Sequence, residues 1–114
     1  MMNGEIWWVD FQEPRGSTPA FVRPGIIVQN DELNSSELNS TIVIPLTTNC
    51  RLADYKGNVF LNKSESKLSK DSVALCAQIT TVDKQALLEK NSRLSKDLLS
   101  EIYEEISWVL QNSI

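Results

Sequence analysis

Residues 16–49, which read GSTPAFVRPGIIVQNDELNSSELNSTIVIPLTTN, decide the fold of this chain. They contain two apolar runs, residues 25–30 and 41–47, whose length and β-branched content are typical of strands. Because both runs are nearly continuous in apolar side chains, we predict strands that are buried on both faces, as in a small barrel or against a helix. The polar residues 31–40 between them show no period and predict a long loop.

Side chains suited to phosphate chemistry stand at the ends of these two strands. Arg23 precedes the first strand, and Thr47 and Thr48 end the second. Pro19 and Pro24 restrict the backbone of the polar loop at residues 16–24, which precedes the first strand, so this loop can hold a side chain in place. A guanidinium and nearby hydroxyls are suitable donors for the charge that develops on phosphate oxygens during cleavage. These strand ends are therefore the predicted functional site.

A further strand with two tryptophans is predicted before this segment. Residues 5–11 (EIWWVDF) predict a strand, and its alternation puts Trp7 and Trp8 on opposite faces. Either ring can stack on a nucleobase, although core packing is the expected role of at least one of them.

Pro45 lacks an N–H group, so it predicts that the second apolar run forms an edge strand or contains a bulge.

The remaining residues predict short strands and one long helix. We expect strands at residues 58–61, 72–76 and 78–82, a polar connection at 62–71, and a short helical turn at 83–89 capped by Asp83. Ser95 is the predicted N-cap of the long helix, and Asp97 in its first turn suits the helix dipole. The helix is expected to close one end of the barrel or, alternatively, to pair with a partner helix. Its apolar stripe consists of Leu98, Leu99, Ile102, Ile106, Val109 and Leu110.

Composition bounds the class of protein. The 114 residues are 41% hydrophobic and 23% charged, as is ordinary for a soluble globular protein, and they predict one domain spanning residues 1–114. No apolar run approaches the ~20 residues of a membrane span, and the first residues lack the features of a signal peptide, so we expect a cytoplasmic protein. Short strands, long polar connections and a terminal helix predict an α+β fold dominated by a small antiparallel barrel.

The reactive residue types narrow the chemistry. The chain has no histidine, which removes the usual general base near neutral pH and the commonest metal ligand. Cys50 and Cys76 are not in a CxxC spacing, so no zinc site is indicated, and Cys76 is expected to be a small core residue. The net charge of −4 argues against a protein that coats nucleic acid with its whole surface. Basic residues nevertheless gather in the first 70 positions, and if the fold places those loops on one side, that face can attract a polyanion.

The ordered set of motifs resembles the MazF/PemK (Kid) family of toxin endoribonucleases. The matching pieces are GEIWWVDF at 4–11, GS at 16–17, RP at 23–24, IVQND at 27–31, IVIPLT at 42–47 and AQITTVDK at 77–84. The resemblance covers nearly the whole chain. It implies an SH3-like barrel of the CcdB/Kid/MazF type with a C-terminal helix, a homodimer, and cleavage of single-stranded RNA without metal or cofactor. It also implies a MazE-like antitoxin whose tail lies in the RNA groove.

The resemblance assigns roles to individual residues. It places the family's catalytic arginine at Arg23 and its catalytic threonine at Thr47. Gly16 and Ser17 match the substrate loop of the family. The full set that we expect to contact RNA is Arg15, Gly16, Ser17, Thr18, Thr48, Asn49 and Gln78.

The substrate loop departs from the family at one position. The family commonly continues Gly-Ser with Glu-Gln or Glu-Pro, whereas this chain has Thr18 and Pro19. The missing carboxylate leaves open a catalytically weakened homologue that only binds an antitoxin. A related fold serves as a gyrase poison, so a CcdB-like gyrase-binding toxin acting through residues 108–114 is the other alternative.

Overall fold

The structure combines an antiparallel sheet with a long C-terminal helix, which confirms the predicted α+β class. It is a computed structural model that describes residues 1–12 and 21–111. The strands are β1 (Glu5–Asp10), β2 (Val22–Ile27), β3 (Ser40–Thr47), β4 (Asn58–Leu61), β5 (Ser72–Leu75), β6 (Thr80–Asp83) and β7 (Leu87–Arg93). The helices are α1 (Asp31–Asn34), α2 (Lys63–Ser66) and α3 (Lys96–Val109), with 3-10 turns at Cys50–Asp54, Cys76–Gln78 and Lys84–Ala86.

Strand β3 is the centre of the sheet. The strands follow the order β4-β5-β3-β2-β1-β7, and β6 also pairs with β3. Residues 40–43 of β3 pair with β6, whereas Leu46 and Thr47 pair with β5. Strand β2 occupies the other side of β3. The sheet therefore bends around β3, as in a small barrel, and β4 and β7 form the two ends of the described ladder.

Pro45 lies at the point where β3 changes partner. The Val28 N–H donates to the Ile42 carbonyl at 3.0 Å, so even-numbered residues of β3 direct their backbone groups towards β2 and odd-numbered residues away from it. Pro45 thus turns its nitrogen towards the gap between the last β6 pairing, at Val43, and the first β5 pairing, at Leu46. A gap requires no N–H donor, so proline is tolerated in a central strand. The prediction of an edge strand is wrong.

The apolar runs are buried on both faces, as predicted. Ile6, Ile26 and Ile44 stand opposite one another across β1, β2 and β3 and are fully buried. The fully buried side chains on the opposite face include Val9, Ile27 and Val43. Burying one such side chain contributes about 1.5–3 kcal/mol. Both faces of these strands therefore carry fully buried side chains.

The connection between β2 and β3 is ordered by side-chain hydrogen bonds, contrary to the predicted loop without secondary structure. Asn30 caps α1 by accepting a hydrogen bond from the Glu32 N–H at 2.8 Å. The buried Asn34 accepts hydrogen bonds from the Thr41 hydroxyl at 2.8 Å and the Gln29 amide at 2.9 Å. These polar contacts carry no hydrophobic period, so sequence patterning does not reveal them.

The second half of the chain differs from prediction at three places. Within the expected polar connection, Asn62 and Glu65 form a capping box that begins α2. The expected strand at 78–82 starts later, at Thr80, because residues 76–78 form a 3-10 turn. Asp83 caps a turn as predicted, but the turn ends at Ala86 and β7 follows. β7 pairs with β1 through two register shifts, which disturb the alternation by which a strand is recognised.

Helix α3 begins where the sequence predicts. Ser95 accepts a hydrogen bond from the Leu98 N–H at 3.2 Å, and Ile102 and Ile106 are buried in the core. Leu110 lies beyond the last helical residue and is 68% exposed, so it does not belong to the buried stripe. Within the described part of the chain, no helix has the length and apolar character needed to cross a membrane.

Cys76 is a core residue, as predicted. Its side chain is fully buried beside α3. Burial, together with the nearby charge of Glu105, raises the pKa of the thiol to about 12. The thiol is therefore protonated and unreactive in the folded protein.

A buried carboxylate ties β1 to β7. Glu5 accepts hydrogen bonds from Lys90 Nζ at 2.9 Å, from the Trp7 indole at 3.0 Å and from the Met2 N–H at 2.8 Å. Burial alone would raise the pKa of Glu5, but the hydrogen bonds from Lys90, Trp7 and Met2 outweigh burial and lower it to about 2. The ionised form of Glu5 therefore stabilises the folded state.

Replacing Glu5 with glutamine tests this contact. The folded pKa of about 2 lies below the unfolded value of 4.5, so the stabilisation is present above pH 4.5 and is lost as pH falls towards 2. We expect Glu5→Gln to lower the free energy of unfolding at pH 7 by roughly 1–3 kcal/mol and to flatten its decline between pH 4.5 and 2, as measured by urea unfolding. Glu89→Gln changes an exposed carboxylate on β7 and should alter neither quantity. Identical profiles for the two variants would contradict the assignment.

Candidate active site

A cleft of about 460 Å³ opens where three neighbouring strands begin or end. Because β1, β2 and β3 are antiparallel, the end of β1, the start of β2 and the end of β3 meet at the same edge of the sheet. The loop between α2 and β5 forms the remaining wall. The described lining residues are Trp8, Phe21, Val22, Arg23, Pro24, Leu46, Thr47, Thr48, Leu68, Ser69, Lys70 and Ser72.

The charged residues in the described lining of the cleft are both cations. Arg23 is the second residue of β2, stands opposite Val9 of β1 and is half-buried. Lys70 is exposed on the loop before β5. Across residues 1–12 and 21–111, no three acidic or cysteine side chains are grouped so as to hold a metal ion. The cleft therefore presents positive charge to a ligand.

Thr47 and Thr48 stand at the end of β3, beyond its change of partner at Pro45, and both line the cleft. Thr47 is the last residue of β3, pairs with Val73 of β5 and is half-buried. Its hydroxyl oxygen accepts a hydrogen bond from the Asn49 N–H at 3.2 Å. Since a hydroxyl also carries one donor, the hydrogen of Thr47 is available to a ligand in the cleft.

The structure brings together some of the predicted site residues but not others. Arg23, Thr47 and Thr48, which are far apart in sequence, line the same cleft. Asn49 follows directly and is exposed, but it does not line the cleft. Gln78 lies in the 3-10 turn that packs against α3, outside the described lining of the cleft. The predicted roles of all five residues in RNA cleavage or binding stay predictions.

The other predicted RNA-binding residues lie outside the described residues. They are Arg15, Gly16, Ser17 and Thr18. What the structure describes is the base of their loop. The Phe11 N–H donates to the Phe21 carbonyl at 2.7 Å, and the Phe21 N–H donates to the Gln12 carbonyl at 2.9 Å. This pair of hydrogen bonds joins the two ends of the loop beside the cleft.

The structure separates the roles of the two tryptophans. The Trp7 indole donates to the buried Glu5, and its ring is half-buried. Trp8 faces the other way, stands opposite Pro24 and lines the cleft with 36% of its surface exposed. Trp7 is therefore structural, and Trp8 is the ring that a ligand in the cleft can contact.

Lys70 and Phe21 line the cleft although no sequence motif predicts them as site residues. Lys70 belongs to the polar run 62–71, where no pattern distinguishes one lysine from the next. Phe21 reads as an ordinary apolar residue within a polar loop. Folding brings both residues to the cleft. Lys70 lies in the loop before β5, and Phe21 directly precedes β2.

The chain is similar to proteins of one toxin family over almost its whole length. A family described as the PemK-like, MazF-like toxin of type II toxin–antitoxin systems matches residues 2–110. Endoribonuclease MazF6 from Mycobacterium tuberculosis strain H37Rv is 36% identical over 106 residues, which are 93% of this chain and 93% of that protein. Endoribonuclease MazF from Staphylococcus saprophyticus is also 36% identical over 106 residues, covering 93% and 88% of the two chains.

A solved structure shares the fold. It is an endoribonuclease from a mycobacterial species in complex with its cognate antitoxin, and it superimposes with a TM-score of 0.78. The sequence identity is 18%, and the similarity covers 96% of this chain and 94% of the other. The order of strands and the terminal helix are therefore those of a known architecture.

Proposed function

The chain belongs to the PemK-like, MazF-like toxin family of type II toxin–antitoxin systems, and we propose that its cleft is the active site of a metal-independent endoribonuclease. The observation that carries the proposal is the convergence of Arg23 and Thr47 on one cleft whose described charged residues are both cations. Two relatives that are 36% identical carry the name endoribonuclease, which supports the same reaction here. The substrate that we infer is single-stranded mRNA, cut at a short sequence.

The reaction is an attack by the RNA on its own backbone. The 2′-hydroxyl oxygen forms a bond to the adjacent phosphorus, and the bond from phosphorus to the 5′-oxygen of the next nucleotide breaks. The proton of the 2′-hydroxyl passes to a base, while the departing oxygen gains a proton. The products are a 2′,3′-cyclic phosphate and a 5′-hydroxyl. Negative charge builds up on the non-bridging oxygens during the step, so the cleft has to stabilise that charge.

Arg23 and Thr47 suit this task. A guanidinium donates two parallel hydrogen bonds to a phosphate, and it stays protonated in proteins, so we assign Arg23 to charge stabilisation and not to proton abstraction. Thr47 is held by the Asn49 N–H and keeps its hydroxyl hydrogen for the same phosphate. Both side chains are half-buried, which strengthens their interaction with charge relative to an exposed site.

We propose that the cleft also binds a MazE-like antitoxin. A protein of similar fold was solved with its cognate antitoxin, which supports such a partner. Apolar side chains and two cations line the cleft together, so it suits an acidic, partly apolar peptide as well as RNA. We further propose that the protein forms a homodimer, as the family resemblance implies. The proposed location is the cytoplasm, where mRNA is available.

Cleavage of a long single-stranded RNA in EDTA tests the assignment of Arg23 and Thr47. We expect discrete cuts at a repeated short motif, mapped by primer extension. Arg23→Ala and Thr47→Val each remove a donor from the charged phosphate, so each should lower the rate roughly a hundredfold to a thousandfold. Thr47→Ser keeps the hydroxyl and should retain activity.

Two controls separate catalysis from folding in this experiment. Arg51→Ala removes an exposed arginine from a 3-10 turn outside the described lining of the cleft, so it should leave the rate unchanged. Circular dichroism and the melting temperature should be the same for every variant. Undiminished cleavage by Arg23→Ala would remove Arg23 from the mechanism.

Lys70 allows a separate test of the cationic cleft. Each phosphate contact to single-stranded RNA adds about 0.7 to the slope of log affinity against log salt. We expect Lys70→Gln to weaken RNA binding at low salt and to reduce that slope by about this amount, as measured by fluorescence anisotropy in the Arg23→Ala background to prevent cleavage. Lys67→Gln removes the same charge three positions earlier, outside the described lining of the cleft, and is the control. Equal effects of the two lysines would show that only net charge matters.

A further inference from the structure

Two exposed aromatic rings share the cleft with the cationic and hydroxyl side chains. Trp8 is 36% exposed and Phe21 is 61% exposed, and both line the cleft. Leaving large apolar rings in contact with water gives up the free energy that their burial would provide. Their position beside Arg23 and Thr47 therefore calls for a role that the core does not supply.

Trp8 differs from its neighbour in how its polar atom is used. The Trp7 indole is satisfied by Glu5, whereas the structure gives the Trp8 indole no hydrogen-bond partner among the described residues. Trp8 stands opposite Pro24 in the register of β1 and β2, and its ring lines the cleft. The ring is thus accessible to a ligand in the cleft.

Phe21 is held in an unfavourable backbone conformation. Its φ of +52° lies in the left-handed region, which a bulky aromatic residue rarely adopts. Its carbonyl accepts a hydrogen bond from the Phe11 N–H, and its own N–H donates to the Gln12 carbonyl, which together keep it there. Gln12, with φ of +63°, shares this conformation across the base of the loop but does not line the cleft. The two residues therefore share a similar backbone and differ in whether the side chain faces the cleft.

We propose that Trp8 and Phe21 form a nucleobase subsite, in which one unpaired base of the RNA stacks on their rings while Arg23 binds a neighbouring phosphate. The inference rests on the proposed function, because it takes RNA as the occupant of the cleft. Phosphate donors and aromatic rings side by side match the alternation of phosphate and base along a single strand. Stacking tolerates any base but is strongest for large rings, so this subsite favours a purine.

The test compares two uncleavable strands that carry the same charge. One is an adenine oligomer of about nine nucleotides with every 2′-hydroxyl methylated, which blocks the attacking oxygen. The other is an abasic oligomer of the same length, also methylated at every 2′-oxygen, which keeps the phosphates and lacks every base. Binding of both to the full chain is measured by fluorescence anisotropy at low salt. The difference between the two affinities isolates the contribution of the bases.

Phe21→Gly and Gln12→Gly are matched variants for this test. Both relieve a positive φ, because glycine adopts that region readily, but only Phe21→Gly removes a ring from the cleft. We expect Phe21→Gly to weaken binding of the adenine oligomer by roughly 5- to 100-fold and to leave the abasic oligomer unaffected. Gln12→Gly should change neither. Trp8→Leu should behave like Phe21→Gly. Trp8 lies within β1, so if its replacement impairs folding, Phe21→Gly still tests the proposal.

The outcomes separate this inference from the proposed function. Equal losses for both oligomers, or no loss for either, would overturn the nucleobase subsite. Neither oligomer can be cleaved, so these results do not depend on catalysis. Absence of cutting by the wild-type chain on long RNA would instead count against the proposed nuclease. A base-dependent loss in Phe21→Gly without any cutting by the wild type would keep the subsite and remove the reaction.

Discussion

The structure depends on the change of partner in the middle of β3. One side of this strand pairs with β2, while the other pairs first with β6 and then with β5. Pro45, which has no N–H to donate, lies at the gap between the two pairings. Beyond this gap, Thr47 and Thr48 line the cleft together with the buried Leu46. The feature that makes the sheet curve therefore also positions the hydroxyls of the candidate active site.

Close packing also constrains β2 at the position opposite Pro45. Gly25 of β2 stands opposite Pro45, and a Cβ added to Gly25 would lie 3.3 Å from Val9 Cγ2 and 3.4 Å from Phe11 Cζ. Glycine therefore lets the side chains of the first strand pack closely over the start of β2. Arg23, two residues earlier, emerges at the edge of this packed region, so a rigid strand supports its guanidinium.

The location of charge matters more to this site than the net charge of −4. The described charged residues of the cleft are Arg23 and Lys70, whereas α3 carries Asp97, Glu101, Glu104 and Glu105. Exposed charges are screened beyond about 8 Å at physiological salt, so the charges that line the cleft matter more to its ligand than the sum over the chain. An acidic protein can therefore present a site for a polyanion.

The sequence by itself determined the α+β class, the double burial of β2 and β3, and the start of α3 at Ser95, because apolar runs and capping residues act over a few neighbouring positions. The family motifs also pointed to Arg23 and Thr47, which the structure brings to one cleft, while their catalytic roles stay predictions. Tertiary structure alone decided that β3 is central, that β7 exists, and that Phe21 and Lys70 join Trp8 at the cleft. Those features arise from pairings between residues distant in the chain, from register shifts that disturb alternation, and from a left-handed backbone at Phe21. Local patterns record none of these, because each is set by what the strand or loop meets after the chain has folded.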